Sequence, residues 1–295
     1  MVAHTSSRGS LVRDYLALTK PRIIVLLLIT ALGGMFVAAG GPPDMGIMAV
    51  VLVAGSLASG GANAINHFLD RDIDNVMRRT RRRPVAGGRI VPRDALVFGV
   101  ALNVVAFVLL SVLVNPLSAG LTLSATVVYV FVYTLGLKRT TPQNIVIGGA
   151  AGAFPPMVGW AAVQGDLGIA ALYMFAIVFF WTPPHFWALA LMIKDDYSEA
   201  GIPMLPVVSG EAETKRSIVL YVALLLALTV MFVVTGEVGW IYGLAALVLG
   251  VGYLCYAVWL LVSPGIQRAR AAYLYSLAYL ALLFAALMID ATMLS

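Results

Sequence analysis

Charge is what this chain lacks most: 11% of its 295 residues are Asp, Glu, Lys or Arg, against about a quarter in a typical soluble domain. With 61% hydrophobic residues and a mean hydropathy of +0.95, it has too little polar surface to cover a water-soluble fold. Cysteine is nearly absent. The single Cys255 lies in an apolar stretch, which excludes a disulfide framework, thiol redox chemistry and a cysteine-based metal site. Also missing is a short apolar core with a small-residue cleavage site ahead of the first long apolar run, so the polar segment 1–21 reads as a retained tail and not as a cleaved signal peptide.

Basic residues are missing from most of the chain. All 19 fall in five stretches, Arg8 to Arg22, Arg71 to Arg93, Lys138 with Arg139, Lys194 to Arg216, and Arg268 with Arg270. The connectors between them, near Gly40 to Asp44, Asn115 and Pro116, Gln164 to Asp166, and Gly236 with Glu237, carry none. This alternation puts the basic stretches in the cytoplasm and the other connectors, with the Asp290 to Ser295 tail, outside. Ten acidic residues accompany the basic side and four (Asp44, Asp166, Glu237, Asp290) the other, leaving +9 against −4. An inside N-terminus and an outside C-terminus require an odd number of crossings. Nine apolar runs satisfy that count: 22–39, 46–67, 95–114, 118–136, 144–163, 168–193, 215–235, 240–262 and 271–289. At about 1.5 Å per residue each crosses roughly 30 Å of hydrocarbon, and their continuous apolarity excludes the alternation of barrel strands. The expected fold is all-α, a single polytopic bundle of nine helices over residues 1–295 in the lipid bilayer.

Two loops, 68–94 and 194–214, are long for such a bundle, and long loops in compact folds usually carry function. The first opens on Asn66, Asp70 and Asp74, spaced i, i+4, i+8, so a helix continued from the second crossing aligns three oxygen-bearing side chains on one face. Asp72 falls on the other face. Carboxylates held ionised beside hydrocarbon gain from a bound cation, and Mg²⁺ is usually held by one or two carboxylates together with substrate phosphates. The run Arg78-Arg-Thr-Arg-Arg-Arg83-Pro84 follows directly, and guanidinium forks match phosphate oxygens. After the sixth crossing comes Lys194-Asp195-Asp196-Tyr197-Ser198-Glu199, a second carboxylate group at the same face. Two such groups facing each other suit a diphosphate clamped by cations, and Lys138 and Arg139 on a third loop are placed to reach it. A secondary transporter is disfavoured, since no Asp, Glu, Lys or Arg lies deep within an expected crossing.

Asn66-x-x-x-Asp70-x-x-x-Asp74 followed by Arg79-Thr-x-x-Arg83-Pro84, with a second acidic motif after the sixth of nine helices, resembles the UbiA-type intramembrane prenyltransferases. Within that family Tyr133-Thr…Leu137-Lys138-Arg139…Asn144, Pro155-Pro156-x-x-Gly159-Trp160, Trp181-x-Pro-Pro-His185-Phe-Trp187 and Asp196-Tyr197…Ile202-Pro203-x-Leu205-Pro206 resemble the branch whose acceptor is heme b. The likeness runs from Thr19-Lys-Pro-Arg22 through the sixth loop. It implies farnesyl diphosphate as donor, bound with Mg²⁺, and heme b as acceptor, at a plasma-membrane site facing the cytoplasm. Asp70, Asp74 and Asp196 would be metal ligands, with Asp195 and Glu199 as further candidates and Asn66 as ligand or orienter. Arg79, Arg83, Lys138 and Arg139 would contact diphosphate. His185, with Trp181 and Trp187, would hold heme, and a downstream heme-modifying enzyme would take the product. An aromatic quinone or chlorophyll precursor as acceptor is the alternative inside the same family.

Overall fold

The computed structural model describes residues 8–294, and among them all regular structure is helical. Nine of the described helices are long and apolar enough to cross a membrane: Pro21–Ala39, Met45–Leu69, Pro92–Leu113, Pro116–Leu137, Asn144–Gln164, Ile169–Met192, Gly210–Thr235, Trp240–Val262 and Ala269–Met293. We refer to them as the first to ninth spans. Their ends follow local chemistry. Pro21, Pro92 and Pro116 open three of them, where a missing N–H costs nothing, and Gly40, Gly165 and Gly236 close the first, fifth and seventh with φ of 63°, 75° and 78°.

The fifth and sixth spans are the interior of the bundle, 61% and 56% buried over their most apolar window, whereas the third is 17% buried and lies at the periphery. Small residues allow close approach. A methyl on Gly34 would run into the Pro156 carbonyl, and one on Gly159 into that of Ala31, so the first and fifth spans touch backbone to backbone. Sixth to ninth spans share the largest apolar core, with Met174, Ile177, Tyr242, Tyr253, Tyr279 and Phe284 fully buried.

Two terminal expectations change. The segment read as a tail forms a helix, Arg8–Thr19, whose Leu18 is fully buried and whose Asp14 pairs with Arg89 at 2.9 Å. Residues 1–7 of the expected tail lie outside the described residues. At the other end, Asp290 does not begin a tail. The last helix runs on to Leu294, and Asp290 is buried, accepting from the backbone N–H groups of Gly239, Ile241 and Tyr242 at 2.5, 3.1 and 3.1 Å.

Candidate active site

The five basic stretches meet at one end of the bundle. Lys20 reaches Asn66, Arg89 reaches Asp14, Arg139 reaches Asp72, Arg78 reaches Glu199, and Lys215 donates to the carbonyl of Ser263 beside the last of them. At this rim the second span ends at Leu69 and a short helix, Arg71–Val76, continues it through Asp70. The i to i−4 bonds Asp70 N to Asn66 O (2.9 Å) and Asp74 N to Asp70 O (2.8 Å) survive the junction, so the helix face is kept. Asn66, Asp70 and Asp74 are 3%, 0% and 2% exposed on one side. Asp72 points away, and its side chain is 60% exposed.

Each carboxylate of the stripe has its own cation. Lys138 Nζ contacts Asp70 Oδ2, and one Arg83 nitrogen, Nη1, donates to both oxygens of Asp74 at 2.8 and 2.9 Å. Asn66 donates to Asp70 (2.6 Å) and to Thr134 Oγ1 (3.2 Å) and accepts from Lys20 Nζ (3.1 Å). The second acidic motif joins this cluster through the arginine loop. Asp196 Oδ2 accepts from the backbone N–H of Arg79 at 3.3 Å, and Glu199 pairs with Arg78 at 3.0 Å. Below them Ile73, Met77, Ile145, Tyr197 and Ile202 pack as one apolar layer that fixes the two loops together.

Part of the expected ligand set is not assembled. Asp195 and Glu199 are exposed, and among the described residues no three His, Cys, Asp or Glu side chains are grouped as a metal cage. The acids take basic partners instead: Glu199 pairs with Arg78 at the surface, and Asp70 and Asp74 with Lys138 and Arg83. Arg139, expected on phosphate, lies on the outer face instead, with both nitrogens on Asp72 at 2.6 and 2.8 Å and Asp70 3.9 Å away. That fork holds the Asp72 carboxyl down at about 2. One atom nevertheless fits a cation. Asp70 Oδ1 is sealed from solvent with no hydrogen-bond partner among the described residues, an open lone pair in a buried carboxylate.

Two contributors escaped the sequence reading. Lys20 has φ 52° and ψ 58°, the one non-glycine residue at positive φ among the described residues, although proline follows it. A residue before proline normally stays extended, so this conformation is strained, and it carries Nζ onto Asn66. Burial, then the neighbouring Arg83 and Lys138, lower its ammonium to about 7. The second contributor is a π-helical stretch, Val128–Leu137, in the fourth span. In an α-helix Tyr129 and Lys138 would be two and a half turns apart and face opposite ways, whereas the wider π turn aligns them. Tyr129 then meets Asn63 (3.4 Å), Thr134 meets Asn66, and Lys138 meets Asp70. His67, which the sequence sets beside Asn66 about 100° off the stripe and within reach of a substrate, is 2% exposed, with neither ring nitrogen bonded among the described residues.

The expected heme residues divide. Trp181 stacks on His185 with centroids 4.4 Å apart, whereas Trp187 is turned to the seventh span and packs edge-on against Tyr221 at 5.1 Å in the core.

Residues 27–288 match the model of the UbiA prenyltransferase family, and the chain belongs to that family. Among curated proteins it is 52% identical to protoheme IX farnesyltransferase of Symbiobacterium thermophilum, covering 96% of each chain. It is 51% identical to that of Gloeobacter violaceus, over 94% of this chain and 91% of the relative. To that of Thermus thermophilus it is 52% identical over 97% of this chain, which spans 47% of the relative. Solved structures share the fold at low identity. A digeranylgeranylglyceryl phosphate synthase superposes with TM-score 0.78 at 17% identity, covering 96% of this chain and 99% of that one. A UbiA homologue from Archaeoglobus fulgidus bound to GPP and Mg²⁺ gives 0.64 at 18% identity, covering 93% and 99%.

Proposed function

We propose that the chain transfers the farnesyl group of farnesyl diphosphate to a vinyl group of heme b, with addition of water, giving heme O and diphosphate. The observation that carries the donor half is the buried stripe of Asp70 and Asp74, met by Lys138, Arg83 and Lys20 and joined to Asp196 through the Arg79 loop. The acceptor half rests on about 50% identity to protoheme IX farnesyltransferases over nearly the whole chain. The basic rim faces the cytoplasm, and the membrane is the plasma membrane.

Breaking the allylic C–O bond leaves a delocalised cation on the prenyl chain and a growing negative charge on diphosphate, so the site's task is to neutralise the latter. Mg²⁺, held by Asp70, Asp74 and Asp196 with Asn66 orienting, would supply charge stabilisation at the leaving group. Lys138 and Arg83 already sit on these carboxylates and need only exchange partners to donate to phosphate oxygens. Lys20 supplies a further ammonium once an anion offsets its burial. The vinyl carbon attacks the farnesyl cation, and water adds to the resulting cation next to the porphyrin ring with loss of one proton. The apolar layer of Ile73, Met77, Ile145 and Tyr197 keeps water from the earlier cation.

Extraction of hemes after co-expression tests the reading. The expected product is heavier than heme b by a farnesyl unit plus water. Prenylation of an added aromatic acid with heme b untouched would replace it with the quinone-type acceptor.

A further inference from the structure

We propose that Ser276 fixes His185 in the tautomer protonated at Nδ1 and so presents Nε2 as an axial ligand to the iron of the heme acceptor; the inference rests on the heme reading above. Proton bookkeeping carries it. Ser276 Oγ lies 2.6 Å from the carbonyl of Tyr273, one turn back on the same helix, and a hydroxyl has one proton to give. That proton goes to Tyr273. Its oxygen lone pairs are then all that Ser276 can offer His185, whose Nδ1 is 2.7 Å away, so Nδ1 is the donor and Nε2 keeps the free lone pair. Trp181 Nε1 donates to the Ser276 carbonyl at 2.9 Å and stitches the serine to the helix that bears the histidine.

Three aromatic rings pack on the imidazole and hold its plane. Trp181 covers one flank (centroids 4.4 Å, interplanar angle 18°), Tyr273 is stacked at 4.8 Å and 26°, and Phe186 meets the ring edge-on at 5.4 Å. His185 is 7% exposed, and among the described residues Nε2 has no hydrogen-bond partner. Unlike the two nitrogens of His67, Nε2 is not sealed off from the surface, so its lone pair is open to a ligand. Heme iron commonly takes a neutral imidazole, and a hydrogen bond at the other nitrogen fixes its orientation and raises its basicity. Phe186, the next residue, packs with Ile73, Met77 and Tyr197 beneath the acidic motifs, so a porphyrin held at His185 is tied to the donor site by one rigid helix.

Ferric heme b added to the purified protein in nanodiscs, without farnesyl diphosphate, tests this by absorption and EPR spectra. Wild type is expected to show histidine-ligated iron and to bind heme at least tenfold more tightly than metal-free protoporphyrin. His185→Ala should lose the signature and regain it with added imidazole. Ser276→Ala should weaken heme binding about threefold to tenfold with an altered ligand field, and Ser276→Thr, which keeps the hydroxyl, should restore both. An unchanged spectrum in His185→Ala, or equal wild-type affinity for heme and metal-free protoporphyrin, overturns the proposal, and the second comparison needs no variant to fold. If wild type still farnesylates heme in either case, the ligand assignment fails and the heme reading stands. Wild type that neither binds nor farnesylates heme sinks both.

Discussion

Asp70 and Asp290 are both buried carboxylates, one at each end of the bundle, and they are satisfied in opposite ways. Asp290 accepts from three backbone N–H groups at the start of the eighth span, donors that cannot leave without unwinding the helix. Asp70 is met by Lys138 and Asn66 side chains, keeps one oxygen without a hydrogen bond among the described residues, and has Asp74 one turn on, itself held by Arg83. Side-chain cations can change partners at little cost in backbone structure. The difference separates a carboxylate that locks two helices from one that is free to exchange its cation.

The sharpest way to break that comparison is to neutralise the acids in turn. Asp70→Asn and Asp74→Asn are expected to lower turnover by about a hundredfold or more while the protein still inserts and elutes as wild type, as read by labelled farnesyl diphosphate consumption. Asp290→Ala should do the reverse. It leaves helix-start donors unpaired in a buried place, costing about 2 kcal/mol, seen as a lowered unfolding midpoint in detergent, with turnover per folded molecule unchanged. Loss of turnover without loss of stability in Asp290→Ala would erase the distinction between the two ends.

Lys20 sharpens the comparison at the exchangeable end. It is held in a left-handed conformation before proline and its side chain does not cap the helix it precedes, so its place on Asn66 is read as functional. Lys20→Met should reduce turnover about tenfold, the scale of one charge-assisted hydrogen bond, with the loss concentrated in kcat/KM for the diphosphate. Lys20→Gly should lose as much turnover while gaining stability, because glycine adopts that backbone without strain.

Much of this was legible because it rests on period and polarity. Apolar runs locate the nine spans to within a few residues, and the 3.6-residue repeat puts Asn66, Asp70 and Asp74 on one face and Asp72 on the other. What was not legible depends on partners far along the chain. Nothing in Val128–Leu137 signals a π-helix, yet that register brings Lys138 to Asp70. Polar residues 8–19 look like a tail until Leu18 and Asp14 find Phe98's helix and Arg89 to pack on. Arg139 reads as a phosphate contact by adjacency to Lys138, but consecutive residues diverge on a helix, and it is Asp72 that it meets.

That last pairing sets the smallest expected effect. Asp72 and Arg139 are 60% and 41% exposed, and an ion pair open to water contributes about 0.2 to 1 kcal/mol at most. Asp72→Asn should therefore change turnover by no more than about twofold and leave the unfolding midpoint within about a degree or two. The result is informative because Asp72 lies two residues from both Asp70 and Asp74, so charge lost from this segment in general is held nearly constant across the three variants and only the helix face differs. If Asp72→Asn were as inactive as Asp70→Asn, local charge density and not the orientation of individual carboxylates would govern the reaction, and the stripe would lose its meaning.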